Sequence, residues 1–283
     1  MARVSFEDVK RVAIALGWVL LFAVVGIVVT LALSRLPPWG GQGWQFLRDV
    51  VYGLIGFMVA TVFVGKVLAK ESWARLGWRA PVASRLVNGM AFGMLMAAVA
   101  IGLAFVVDRT NVSLTGDWER WPRVALWLGV MFLCAALAEE LMFRGFPLRR
   151  LADAIGPLPA TLVLAIGFAV AHLANPHVTF VAALNIALAG IWLSFAFFSA
   201  GGMALAWGLH FGWNAGLALA FDAPVSGYMF RVPAVEYTPG THQWVDGGTF
   251  GPEGGIIGTI VIIAGILAVI GKRVKQPRTW LAG

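Results

Sequence analysis

Charge is what this sequence has least of. Only 12% of its 283 residues are Asp, Glu, Lys or Arg, against about 25% in an ordinary soluble domain. With 60% hydrophobic residues and a mean hydropathy of +0.83, that scarcity excludes a water-soluble globular chain and predicts a protein whose solvent is largely lipid. Cysteine is nearly absent as well. Cys134 stands alone, so no internal disulfide can form, and its apolar neighbours make it a small packing residue. No period of about 20–50 residues repeats, which removes solenoid architectures. Lys and Arg outnumber Asp and Glu by 21 to 14, but they are scattered through loops without a basic stripe or an aromatic platform. That distribution excludes a nucleic-acid partner and suits topology signals and contacts with anionic membrane lipids.

What is present is apolar sequence in long runs. Eight stretches are long enough to span a bilayer, which takes about 20 residues each. They lie near 12–33, 50–68, 86–107, 124–150, 158–174, 178–198, 202–221 and 255–271. The first, Val12 to Leu33, lacks a small-x-small cleavage site after a short core and reads as a membrane helix rather than a removable leader. Turn-rich breaks such as "SRLPPWGGQGW" and "DAIGPLP" separate the runs. Tryptophans gather at their edges, as interfacial aromatics do. The expected fold is an all-α polytopic membrane protein of about eight transmembrane helices, one integral domain over residues 1–283. Fifteen of the 21 Lys and Arg fall on the side that holds both termini, which predicts cytoplasmic N- and C-termini. Segment 222–254 then lies outside as a polar extramembrane stretch, and its glycines, prolines and aromatics suggest an ordered or interfacial cap.

A few ionisable groups interrupt the apolar runs, and each costs about 2.5–3.5 kcal/mol at a bilayer centre. "AEELMFRGF" in the fourth run holds Glu139, Glu140 and Arg144; "GFAVAH" in the fifth holds Phe168 and His172; "HFGWN" in the seventh holds His210 and Asn214. On a helix Glu140 and Arg144 are i and i+4 and can pair, while Glu139 points about 100° away. One carboxylate is then neutralised and the other left available as a general base. If the fourth run stays helical through "LRRLAD" and the hairpin turns at Ile155–Gly156, Glu139 and His172 each lie about 16 residues from the turn, at one depth. Asn214 falls near that level, with His210 one turn away. Each group also has a plainer reading: an ion pair for Glu140 and Arg144, interhelical hydrogen bonds for His172, His210 and Asn214. His177 reads as a loop or cap residue. His242, Asp246 and Glu253 are expected in solvated loop, and Asn88 and Asn185 are isolated.

In order along the chain, EExxxR at Glu139, Glu140 and Arg144, FxxxH at Phe168 and His172, and HxxxN at His210 and Asn214 resemble the CPBP (Abi) family. That family includes the type II CAAX prenyl endopeptidases and many bacterial intramembrane proteases. The motifs occupy a core of about 124–221. The resemblance implies peptide-bond hydrolysis within a membrane, for a multi-pass protein of the bacterial inner (cytoplasmic) membrane acting on a membrane-associated, even lipidated, peptide. It implies that Glu139 and His172 activate a water, that His210 and Asn214 hold the water or the oxyanion, and that Glu140, Arg144 and Phe168 support the site. Glu139, His172 and His210 would also satisfy a divalent metal such as zinc, leaving one position open for water. HExxH is absent, and a metal-free, glutamate-activated water is the alternative. Two other functions stay open: a non-proteolytic binding or bacteriocin-immunity factor using the same pocket, and a proton-coupled transporter, although no inverted repeat is visible.

Overall fold

The computed structural model describes residues 5–41 and 44–274, the last three by their backbone alone. Arg3, Lys275 and Arg278, which entered the count of positive charges at the two termini, lie outside the described residues. Helices occupy all eight predicted stretches. α1 (Phe6–Leu33) begins at a capping box in which the Ser5 hydroxyl accepts from the Asp8 N–H while the Asp8 carboxylate accepts from the Ser5 N–H. α2 runs over Gln45–Leu68 and finishes in π turns, and α3 covers Val82–Asp108. α4 (Trp121–Phe143), α5 (Phe146–Ile155), α6 (Pro157–Ala171), α7 (Phe180–Phe198) and α8 (Gly202–Ala215, extended by π turns to Ala220) follow. A short α9 (Gln243–Asp246) precedes α10 (Ile256–Val274). Among the described residues, five spans are long and apolar enough to cross a membrane, Trp121–Ile155 being counted as one, and α6 and Ile256–Gly271 are apolar but shorter. Leu20, Val106, Leu126 and Ile166 stand exposed on their outer faces, as lipid-facing side chains do. The protein is an all-α, integral membrane protein.

The fourth predicted span differs from expectation. It is two helices, because Pro147 has no N–H to give the Phe143 carbonyl and Gly145 (φ −61°, ψ −107°) redirects the chain between them. α5 then lies against α1 and α6. Its Phe146 is fully buried, stacked on Phe22 at 5.4 Å. The straight helical arm assumed for the hairpin is therefore wrong, although the turn does fall at Gly156 (φ +88°).

α8 is held by its glycines. Gly208 and Gly212 lie against Gly89 and Gly93 of α3, two GxxxG stripes face to face, and a Cβ on any of the four would collide with the opposite backbone. His210 and Asn214 are each two residues further on, about 200° around the helix. Packing the glycine stripe on α3 thus aims both polar side chains away from α3, into the interior of the bundle.

At one end of the bundle, β1 (Asn111–Leu114) pairs antiparallel with β2 (Val235–Thr238), Val112 opposite Tyr237. At the other, Met203 N–H donates to Gly77 O at 2.9 Å, and Arg75 reaches Asp153 at 2.6 Å. Loops that alternation along the chain puts on one side thus bond to one another.

Candidate active site

α4 delivers two carboxylates in opposite circumstances. Glu140 is fully buried, and its Oε1 accepts from Arg144 Nη1 at 3.1 Å and from His210 Nδ1 at 2.9 Å. Arg144, equally buried, also donates to Gly190 O of α7 at 3.4 Å and lies 4.2 Å above the Phe168 ring of α6. One arginine thereby ties three helices. Glu140 does more than neutralise it, since it fixes the imidazole of His210 through Nδ1 and leaves Nε2 to face the cavity. Phe168 also packs against His172, ring centroids 4.6 Å apart. His172 is not inside a helix as expected. It caps α6, and its Nδ1 sits 2.7 Å from Phe168 O. A carbonyl can only accept, so Nδ1 carries the proton and Nε2 its lone pair.

Glu139 is turned away from that pair. Its Oε2 is 3.8 Å from His172 Nε2 and 3.7 Å from His210 Nε2, and it is buried with no hydrogen-bond partner. Three acceptors thus face one another across gaps too long for direct hydrogen bonds. They sit in the wall of a cavity of about 350 Å³, with Asn214 beside them and Phe46, Phe132, Trp192, Tyr228 and Phe230 lining the apolar remainder. Water, which donates twice, satisfies two of the three, and the third is met when the His210 ring takes a second proton and Nε2 becomes a donor.

The same set has the chemistry of zinc ligands. Atoms bound at about 2.0–2.2 Å around a tetrahedral zinc stand roughly 3.3–3.6 Å apart, and among the described residues no group of three or more His, Cys, Asp or Glu is arranged to hold a metal ion. A water oxygen hydrogen-bonded at about 2.8 Å to each neighbour would hold them roughly 4.6 Å apart at tetrahedral angles, so the observed 3.7 and 3.8 Å fall between the two, nearer the zinc range. Glu139, His172 and His210 thus supply a donor set that suits a divalent metal and that a bound water can also bridge.

The outer segment departs from expectation. Asp246 is fully buried, accepting from Thr110 Oγ1 and from the N–H groups of Gly240 and Gly248. Glu253 is buried and lines the cavity: Oε1 accepts from Trp213 Nε1 at 2.8 Å, and Oε2 from Ser226 N at 2.6 Å and Ser226 Oγ at 2.9 Å. Only the His242 side chain is exposed, its Nδ1 bonded to Asp108 at 2.7 Å. These are not solvated-loop residues, because the segment folds down as a roof and its buried carboxylates are matched by N–H and O–H donors. Asn185, isolated in the sequence, is fully buried and anchors the far edge by donating to Glu253 O and Gly255 O. Asn88 and His177 are exposed and lie outside the site. Glu253 and Ser226 carried one faint sequence signal: a carboxylate within "GPEGG", three residues before an apolar helix.

Residues 121–216, from the start of α4 to just past α8, match a family model described as type II CAAX prenyl endopeptidase Rce1-like. That stretch is similar to the CAAX prenyl endopeptidases. That stretch contains every one of the seven motif residues, and it leaves the roof, the first three helices and α10 outside the match. Among curated proteins and among solved structures, no match is found. At the level of the family, the relationship is to CAAX-type intramembrane endopeptidases.

Proposed function

We propose that this chain hydrolyses a peptide bond in a membrane-associated peptide or protein, with Glu139 as the general base. The reading rests on one observation: a buried, unpartnered Glu139 oxygen facing two imidazole nitrogens across water-sized gaps. A water held between Glu139 Oε2 and His172 Nε2 gives a proton to Glu139 as its oxygen attacks the substrate carbonyl. The Asn214 amide and His210 Nε2, in its imidazolium form, donate to the developing oxyanion. Collapse breaks the C–N bond, and the leaving amine takes the proton from Glu139. Glu140 keeps the His210 ring aimed throughout, as a group behind a catalytic imidazole does. The aromatic wall of the cavity, with Phe46, Phe132, Trp192 and Phe230, favours a substrate presented with a large hydrophobic or lipid-bearing segment. The setting that fits is a bacterial inner (cytoplasmic) membrane, with eight crossings and both termini in the cytoplasm, and membrane lipids as constant neighbours.

The test is a library of membrane-tethered peptides presented to the purified protein in nanodiscs. Glu139→Ala and His172→Ala are expected to lower turnover by about 10²–10⁴-fold with the fold intact. Unchanged turnover in both variants would sink the assignment. Proton flux dependent on Glu139 without cleavage would mark a transporter instead. Adding a chelator separates the two forms of the site: loss of turnover, restored by zinc, identifies a divalent metal held by Glu139, His172 and His210, and unchanged turnover identifies a metal-free, glutamate-activated water.

A further inference from the structure

We propose that Arg79, Arg85 and Arg149 form a binding site for a phosphate ester, the headgroup of an anionic phospholipid at the membrane boundary. The loop between α2 and α3 folds back on α5, so that charges distant in sequence share one face. Arg75 binds both Glu71 (2.8 Å) and Asp153 (2.6 Å), Arg149 pairs with Asp153 at 3.4 Å, and Arg150 with Glu71 at 3.5 Å. Two carboxylates are thereby shared among three arginines. Residues 66–85 and α5 together hold seven Lys and Arg against those two acids, a net charge of +5.

Arg79 and Arg85 receive none of that compensation. Arg79 Nε donates to Ala74 O at 3.3 Å and Arg85 Nη1 to Arg79 O at 3.0 Å, so that each is held by a backbone carbonyl. Neither has an ion pair among the described residues. Burial, then the like charges of Arg149 and Arg85, hold the Arg79 guanidinium below its usual range. Topology alone needs positive charge on this side of the membrane, and dispersed side chains would serve. Arg85 reaches the Arg79 carbonyl, and Arg75 of the same loop shares Asp153 with Arg149, so one face gathers these cations with too few carboxylates to pair them all. Their planar N–H forks match phosphate oxygens.

The position selects a lipid over a soluble phosphate. The site lies where α2 ends at Leu68 and α3 begins at Val82, both exposed apolar residues, and Trp73 is exposed beneath the Lys66 ammonium, 5.3 Å from its ring centre. An aromatic and a cation side by side at a helix end mark the headgroup layer.

Thermal unfolding of the purified protein in neutral-detergent micelles tests this. Added short-chain phosphatidylglycerol is expected to raise the midpoint, while phosphatidylcholine is not. Arg79→Gln/Arg85→Gln is expected to weaken the apparent affinity about thirtyfold, and Arg85→Gln alone, should the double variant misfold, about fivefold. Arg120→Gln/Arg123→Gln, equal in charge but outside the cluster, is expected to retain the full response. An equal response to both lipids, or one that survives loss of Arg85, overturns the site. An equal shift with inorganic phosphate at matched concentration overturns the lipid as its source.

Discussion

Arg144 and Glu140 show how much one residue pair decides in a low-dielectric interior. Arg144 is 1% exposed and has an acceptor on its own helix, an acceptor on α7 and a ring face on α6. Arg144→Leu leaves Glu140 charged and buried, and is expected to destabilise the fold by about 3–5 kcal/mol, read as the unfolding midpoint in detergent. Glu140→Gln keeps the shape and a carbonyl acceptor for His210 Nδ1 but removes the charge. Turnover is expected to fall about 10–100-fold with little loss of folded protein, a pattern that separates positioning from structural support. The triplet of motifs was legible because charged and amide residues are conspicuous in apolar sequence, and i, i+4 spacing separated Glu139 from Glu140. The Glu140–His210 bond was not legible, because it depends on how α8 is rotated. Glu253 and Ser226 were hidden for another reason: nothing in a glycine-rich polar segment says that it folds back onto a cavity.

At the scale of elements, the α3–α8 contact carries the geometry. Backbones touch at Gly89, Gly93, Gly208 and Gly212, and the rotation of α8 set there aims His210 and Asn214. Gly212→Val would force the helices apart. It is expected to cost about 1–3 kcal/mol of stability and to lower turnover beyond what the lost folded fraction explains, measured by comparing activity per folded molecule. Helix positions were readable from apolar run length, and the turn at Gly156 from its punctuation. The break after Phe143 was readable in principle from Pro147, but one proline is a weak signal within a run long enough to span.

Over the whole molecule, alternation of loops brings together segments far apart in sequence. β1 and β2 join the loop after α3 to the roof, and the Gly77–Met203 and Arg75–Asp153 contacts join the α2–α3 loop to the start of α8 and to α5 at the opposite end. Cysteines introduced at Thr115 and Glu236, in a Cys134→Ser background, are therefore expected to react with an impermeant thiol reagent from one side of sealed vesicles, and a cysteine at Ser84 only from the other. Labelling of all three from one side would contradict the alternation. Which side is cytoplasmic follows from the Lys and Arg bias alone, and the same experiment reads it directly.

The three acceptors that face one another in the cavity also define what should block it. Among the described residues at the cavity and directly behind it, Glu139, Glu140 and Glu253 are opposed by Arg144, leaving a formal charge of −2 with neutral histidines. A compact primary ammonium on a short alkyl chain offers three N–H donors to Glu139, His172 and His210, and its tail suits the aromatic wall. Such an amine is expected to inhibit competitively, raising KM with kcat unchanged, while the alkyl carboxylate of equal length leaves turnover untouched.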